Sequence, residues 1–139
     1  MYTPSFRLRC FESISEAKKF GVMQMLLEAL TMANVAYLLD NPRTPTLYES
    51  GVRYLSEPDG VDEWQDIPDT LERRTGDCED LACYRVADLR VRGGEPTATR
   101  EISVDLLPNR SGQMVVTYHI MVRRASGAIE DPSRILGMR

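Results

Sequence analysis

The sequence lacks most of the features that mark specialised classes of protein. Its three cysteines cannot all pair within one chain and no cleavable signal sequence opens it, so we expect free thiols and a reducing, cytoplasmic compartment. Basic side chains number 17 against 21 acidic ones, and this formal charge of −4 argues against a general binder of nucleic-acid phosphates. No repeat or low-complexity segment is present. Disordered, collagenous and disulfide-stapled classes are therefore excluded.

The composition that remains is that of an ordinary globular protein. Apolar residues make up 42% of the chain and charged residues 27%, both close to the average for soluble domains. A chain of 139 residues buries enough surface to form a core without covalent staples. We therefore predict a single domain over residues 1–139.

The first long pattern predicts a helix from a capping box at Ser13–Glu16 to Asp40, where Asn41-Pro42 ends it. Polar side chains recur along it at helical spacing: Gln24, Glu28, Thr31 and Asn34. A lipid-facing helix would not carry such a stripe, so we predict a core helix with one narrow edge that is either wet or hydrogen-bonded, and no membrane span. Three methionines are assigned to its core face: Met23, Met25 and Met32.

The rest of the chain changes from helical to strand periodicity. Residues 47–55 fit either a strand or a short helix, and residues 66–69 fit a helical turn. A second helix is predicted from Cys78 to about Val91, stopped by Gly93-Gly94. Three alternating segments follow, 98–106, 114–122 and 128–130, the first two joined by a turn at 108–112. Helices followed by antiparallel strands predict an α+β fold.

The only histidine, His119, lies in the middle of the second predicted strand. A lone strand histidine is usually a packed or surface residue. If the turn near Ser126 is a three- or five-residue hairpin loop, however, Asp131 falls beside His119 on the adjacent strand, with both side chains on one face. An aspartate there can accept the imidazole N–H, fix the tautomer and favour the protonated ring.

Cys78 follows Thr75-Gly76-Asp77 and begins the second helix. The unsatisfied N–H groups at a helix start lower the pKa of a thiol, and a nearby imidazolium lowers it further. The same N–H groups can hold an oxyanion, and Gly76 would let the backbone pass close to a substrate. Three neighbouring acids act in the opposite direction and raise the thiol pKa: Asp77, Glu79 and Asp80.

A zinc site is a further interpretation of these residues. Its candidate ligands are Cys78, Cys83, His119 and Asp131. The two cysteines are five residues apart and point to different faces of the helix, unlike the usual short-spaced pair, so we expect no metal. Cys10 and Cys83 are expected to be small, unreactive residues. Arg85 is expected to face solvent or pair with an acid, although it could reach the site.

Three segments resemble one family. Residues 76–82, Gly-Asp-Cys-Glu-Asp-Leu-Ala, are similar to the nucleophile segment of transglutaminase-like cysteine proteins, including the bacterial transglutaminase-like proteinases. Residues 118–122 are similar to the family's histidine strand, and residues 129–133 to its aspartate segment. The resemblance covers about residues 64–138. It implies a papain-like α+β fold, with N-terminal helices and the nucleophile helix packed on a C-terminal antiparallel sheet.

The resemblance also implies a chemistry. Cys78 would be the nucleophile, His119 the general base and acid, and Asp131 the orienting carboxylate. The reaction would be acyl transfer on a protein or peptide substrate through a thioester, ending in hydrolysis or transamidation without a cofactor. Three side chains are candidates for assisting the oxyanion: Tyr54, Trp64 and Gln65.

A second function stays open. The chain is short, and its Glu-Asp-Pro-Ser ending at residues 130–133 also resembles small transglutaminase-like proteins encoded among phage and prophage genes. The acidic surroundings of Cys78 fit a non-catalytic virion or assembly protein that uses the same scaffold to bind other virion proteins. Such a protein would be virion-associated.

Overall fold

A computed structural model describes residues 15–58 and 63–139, in which helices and strands are mixed. The helices are α1 (Glu16–Asp40), α2 (Ile67–Arg73), α3 (Cys78–Arg92) and α4 (Pro132–Ile135), with a 3₁₀ turn at Leu47–Glu49. The strands are β1 (Arg53–Tyr54), β2 (Thr75–Gly76), β3 (Thr99–Pro108), β4 (Met114–Arg123) and β5 (Ile129–Glu130). The predicted mixture of helix and antiparallel strand is confirmed.

The C-terminal strands form one antiparallel sheet in the order β3-β4-β5. Ile102 lies opposite Ile120 in the first pair, and Val122 lies opposite Glu130 in the second. The predicted turn between β3 and β4 is confirmed, with the Asn109 side chain accepting hydrogen bonds from the N–H groups of Ser111 and Gln113 at 3.0 and 2.9 Å.

Helix α3 lies at the centre of the packing and contacts α1, β4 and α4. Its buried side chains enter two hydrophobic clusters. The first is shared with α1 and the sheet: Leu27, Ala82, Cys83, Val86, Leu89, Ala98, Ile120 and Val122. The second is shared with the 3₁₀ turn, α2 and the C-terminal end: Leu38, Leu47, Val52, Ile67, Leu81, Tyr84, Ala87 and Leu136. The N-terminal end of α3 is thereby fixed between the two clusters.

The polar edge of helix α1 is hydrogen-bonded, which is one of the two predicted alternatives, whereas two of the predicted core methionines are exposed. Its polar residues Thr31 and Asn34 are fully buried, whereas Met25 is 74% and Met32 49% exposed. The Thr31 hydroxyl donates to the Leu27 carbonyl at 2.8 Å. Asn34 Oδ1 accepts the N–H that starts α2, at 2.9 Å, a role that no apolar side chain can fill. The core assignment is wrong for Met25 and Met32, although Met23 does pack against the core.

The start of α1 also differs from the prediction. The hydroxyl of Ser15 accepts from the N–H of Lys18 at 3.4 Å and caps the helix. Ser13, the predicted cap, lies outside the described residues. By length and composition α1 could cross a membrane, over residues 17–40. Its buried Thr31 and Asn34 face the rest of the protein.

The structure adds detail to the sequence prediction in three short segments: residues 47–55, β2 and α4. The undecided segment 47–55 contains both alternatives, the 3₁₀ turn followed by β1. Strand β1 pairs in parallel with β2, with Tyr54 opposite Gly76, so the segment before Cys78 is held by a two-stranded sheet. Helix α4 begins at Pro132, where the sequence suggested only the end of a strand.

The outer half of the β3–β4 hairpin extends beyond the core. Its apolar side chains are exposed on both faces: Val104, Leu106, Leu107, Met114, Val115 and Val116. We call residues 104–117 the outer ribbon. Two strands without a further layer have little stability of their own, so the inner half of the hairpin holds this ribbon in place.

The buried position of Asn34 in α1 gives a test by unfolding. Asn34→Leu makes the helix more apolar, yet it leaves the buried N–H of Ile67 without its acceptor and should lower the free energy of unfolding by about 1–3 kcal/mol. Ala33→Leu adds the same side chain on the exposed face of α1 and should change it by less than about 0.5 kcal/mol. Urea unfolding followed by circular dichroism measures both. A stabilising Asn34→Leu would contradict the orientation of α1.

Candidate active site

The segment that carries Cys78 is held by a reciprocal cap. Asp77 Oδ1 accepts the N–H of Asp80 at 3.4 Å, and Asp80 Oδ2 accepts the N–H of Asp77 at 3.1 Å. Asp80 Oδ1 also accepts the N–H of Gln65 at 2.6 Å. These bonds satisfy donors at the start of α3 that have no partner within the helix. They fix the direction in which the side chain of Cys78 points from the start of α3.

Gly76 allows β2 to lie directly against this cap. A Cβ atom at residue 76 would stand 3.0 Å from Asp80 Cβ and 3.3 Å from a methyl group of Leu81. The sequence suggested that Gly76 lets the backbone approach a substrate. The close approach in the structure is instead internal, between β2 and the first turn of α3.

The buried carboxyl of Asp80 has an unusual titration. Burial, together with the negative charge of Asp77, raises the pKa of Asp80 well above its ordinary range. The N–H groups of Gln65 and Asp77 act in the opposite direction because they favour the ionised form. The cap therefore concentrates acidic groups within one turn of the thiol.

The Cys78 thiol is half-buried and has two polar neighbours. It donates to Glu79 Oε2 at 3.4 Å, and the backbone N–H of Ile120 in β4 faces the sulfur. Burial and the negative charges of Glu79 and Asp77 raise the thiol pKa, and the Ile120 N–H only partly offsets them. Of the two opposing effects expected from the sequence, the raising of the thiol pKa by the acidic neighbours is confirmed for Glu79 and Asp77, and it outweighs the lowering expected from the helix start.

His119 and Asp131 form the other half of the site. His119 Nε2 and Asp131 Oδ2 are 2.8 Å apart, and both side chains are mostly buried, at 21% and 16% exposed. Asp131 directly follows β5 and caps α4, since its Oδ1 accepts the N–H of Arg134 at 3.4 Å. The start of α4 thus orients the Asp131 carboxylate, which contacts Nε2 of His119 and not Nδ1.

The register that joins His119 and Asp131 differs in detail from the prediction. Arg123 lies opposite Ile129, which leaves a five-residue loop, one of the two predicted lengths. Continuing that register places Asp131 diagonal to His119 on the same face, just beyond the end of β5, and not directly opposite it. The predicted pairing of the two side chains is confirmed, but through a diagonal contact.

The residue before Asp131 is the centre of an ion-pair cluster. Glu130 accepts from the Tyr48 hydroxyl at 2.5 Å, from Arg85 Nε at 2.7 Å and from Arg124 at 2.9 Å. Arg85 also lies 4.8 Å from the centre of the Tyr48 ring. The expectation that Arg85 pairs with an acid is confirmed, and its partner is Glu130. The cluster fixes β5, and with it the backbone that leads to Asp131.

The two halves of the site meet at β4 without a direct hydrogen bond. The sulfur of Cys78 contacts the main chain of Ile120, the residue next to His119, but no hydrogen bond joins the thiol to the imidazole in the described part of the chain. The sequence offered no pattern that identifies the Ile120 N–H, since a backbone group leaves no trace in residue type.

The three side chains suggested for the oxyanion differ in their placement. Gln65 is committed elsewhere, because its Nε2 donates to the Thr75 carbonyl at 2.8 Å. Trp64 packs against the same core cluster as Cys78. Burial raises the pKa of the Tyr54 phenol, and the charges of Cys78, Asp77, Glu79 and Asp131 raise it further. Tyr54 therefore lies close to both halves of the site.

The four zinc candidates do not form one ligand group among residues 15–58 and 63–139. The Cys83 thiol is fully buried and donates to the Leu27 carbonyl at 3.5 Å, as expected for an unreactive core residue. Cys10 lies outside the described residues.

The carboxylates of Glu57, Asp77 and Asp80 lie within 4.8 Å of one another beside a cleft of about 180 Å³. Oxygens of Asp77 and Asp80 already accept backbone N–H groups.

Comparisons with family models, with curated proteins and with solved structures give no match to this chain.

The acidic neighbour of the thiol gives a direct test. Glu79→Gln removes the nearest negative charge, so the thiol pKa should fall and alkylation of Cys78 by iodoacetamide at about pH 8 should accelerate about 3- to 10-fold. In the wild type, the alkylation rate should still be rising above about pH 9, beyond the midpoint of a free thiol. Peptide mass spectrometry measures the rate at each cysteine.

Glu72→Gln is the matched control, because Glu72 is an exposed glutamate on α2. It should leave the rate at Cys78 unchanged, and buried Cys83 should remain unlabelled in every variant. An equal rate in Glu79→Gln and wild type would show that Glu79 does not hold the thiol proton.

Proposed function

We propose that this protein is a cysteine-dependent acyl-transfer enzyme with a papain-like arrangement of Cys78, His119 and Asp131. The observation that carries the proposal is the 2.8 Å contact between His119 Nε2 and Asp131 Oδ2, beside the strand position whose N–H faces the Cys78 sulfur. An imidazole held at one nitrogen by a carboxylate presents its other nitrogen as a base. The thiol of Cys78, at the start of α3, faces the N–H of Ile120, which is the next residue after His119 in β4.

The arrangement of elements supports the same proposal. Helix α3 packs on β4 and begins with the thiol, β4 supplies the imidazole, and the segment after β5 supplies the carboxylate. The three groups occur in that order along the chain and come from three different elements. Their roles in the proposed reaction match those implied by the resemblance of residues 76–82, 118–122 and 129–133.

The first step is attack on the carbonyl carbon of an amide or peptide. His119 Nδ1 takes the proton of the Cys78 thiol as the sulfur forms the carbon–sulfur bond. The substrate oxygen becomes an oxyanion, which the backbone N–H of Cys78 can stabilise because first-turn donors have no acceptor within the helix. Asp131 stabilises the imidazolium. The carbon–nitrogen bond then breaks, the amine leaves with the proton from His119, and a thioester remains.

The second step releases the acyl group. A water molecule, or an amine, attacks the thioester while His119 Nδ1 takes its proton, and the carbon–sulfur bond breaks to return the thiol. Water gives hydrolysis and an amine gives transamidation. Both steps require the imidazole to contact the sulfur, a contact that commonly tightens only when substrate binds. Substrate binding would also have to displace the Glu79 carboxylate from the thiol.

A second candidate function is supported by the thiol itself. The surroundings of Cys78 raise the pKa of its thiol, which donates a hydrogen bond to Glu79 rather than to His119. A scaffold that keeps the three residues but not their contact could bind protein partners, such as virion proteins, without turnover. The exposed outer ribbon would offer such a partner an apolar surface.

Acylation by an activated ester separates the two functions. Incubation with p-nitrophenyl acetate should release about one p-nitrophenolate per chain in a burst and leave an acetyl group on Cys78, detected by peptide mass spectrometry. His119→Ala should slow acylation about 100- to 10,000-fold, because the general base is lost. Asp131→Asn should slow it by a smaller factor, and Cys78→Ser should leave no acetylated thiol.

Asp105→Asn is the control for the aspartate, since Asp105 is exposed in the outer ribbon. It should acylate like the wild type, and circular dichroism should be equal in all variants. Full acylation in His119→Ala would contradict the proposed base. A folded wild type whose Cys78 is never acylated would support the binding scaffold instead.

A further inference from the structure

The outward face of α1 carries an apolar stripe, which we call the α1 seam. It consists of Met25, Ala29, Met32, Ala36 and Leu39, all exposed. Successive members are separated by four, three, four and three residues, the spacing by which helices pair in coiled coils. No charged residue interrupts the seam, and only 22% of the most apolar stretch of α1 is buried. A 25-residue helix thus presents its apolar side to the outside.

The other side of α1 is committed to its own chain. Thr31 and Asn34 are buried among hydrogen bonds, as described above. Glu28 forms ion pairs with Arg90, at 2.8 Å, and with Arg100. Rotating α1 to bury the seam would break these contacts and leave buried polar groups without partners. Among residues 15–58 and 63–139, no other segment covers the seam.

We propose that the α1 seam binds the α1 seam of a second copy of this chain in an antiparallel pair. Large and small side chains alternate along it, so that it can be complementary to its own reverse. When Met25 of one copy lies opposite Ala36 of the other, Ala29 lies opposite Met32, and each methionine meets an alanine. Interdigitation of this kind is what close helix pairing requires.

The charges at the ends of α1 favour this direction. Lys18 and Lys19 lie in the first turn, while the helix ends at Asp40 with no basic residue in its last turn. In the proposed register Asp40 of one copy lies opposite Gly21 of the other, within one helical turn of Lys18. The two helix dipoles also run in opposite directions, whereas a parallel pair would bring like ends together.

A bilayer fits the seam less well. A helix that lies on an anionic membrane usually carries basic residues along both edges of its apolar face, and those on α1 are confined to its start at Lys18 and Lys19. The formal charge of the whole chain is −4, which opposes binding to such a surface. A spanning α1 would have to give up the contacts of Thr31 and Asn34.

Sedimentation equilibrium on the full chain tests the pair. At about 100 µM the wild type should sediment at twice the monomer mass of 15.8 kDa. Met32→Lys places a charge in the seam and should raise the dissociation constant at least about 100-fold, with an unchanged circular dichroism spectrum. Leu106→Lys makes the same kind of change in the outer ribbon and should leave the dimer intact. A monomeric wild type, or a dimer that survives Met32→Lys, would overturn the proposal.

A charge exchange tests the direction. Met25→Glu and Ala36→Lys should each be monomeric alone. Their mixture should recover a dimer, because the introduced carboxylate of one variant meets the introduced ammonium group of the other only when the helices are antiparallel. A mixture of Met25→Glu with Met25→Lys should stay monomeric. Recovery in the second mixture and not in the first would indicate a parallel pair and overturn the proposed geometry. A monomeric wild type that floats with neutral phosphatidylcholine vesicles would overturn the pair and assign the seam to a bilayer.

Discussion

The nucleophile segment depends on the contacts of one buried group, the carboxyl of Asp80. It accepts the N–H of Asp77 in the helix cap and the N–H of Gln65, and so joins the start of α3 to the chain before α2. Gly76 lies against the same side chain, with no room for a Cβ atom. The position of the thiol, the short sheet of β1 and β2, and the clustering of acidic groups all follow from this one buried group. Burial and the charges of the neighbouring Glu79 and Asp77 make the thiol hard to ionise.

The other half of the site depends on a second acid, Glu130. Its contacts with Tyr48, Arg85 and Arg124 hold β5 in register, so that Asp131 meets His119 on leaving the strand. The two halves meet at the main chain of Ile120, whose N–H faces the Cys78 sulfur, and Arg85 of α3 joins them again through Glu130.

The sequence was sufficient to predict α3, the three C-terminal strands and the pairing of His119 with Asp131, because these follow from local periodicity and one hairpin. It was not sufficient for α1, whose polar stripe faces inward to meet the N–H of Ile67, 33 residues away. The same polar residues would suit a solvent-facing edge. The two-residue strands β1 and β2 are too short to show a period, and the state of the thiol depends on burial that residue types do not give.

The exposure of the outer ribbon affects which substitutions the chain can accept. Side chains from 104 to 107 and from 114 to 117 are exposed, so their identities contribute little to the core. Changes there can accumulate at small cost to folding, provided that strand geometry is kept. Apolar residues retained at such positions would reflect what the ribbon touches rather than what the fold needs. This part of the sequence can therefore change at smaller cost to folding than the buried segments of α3 and β4.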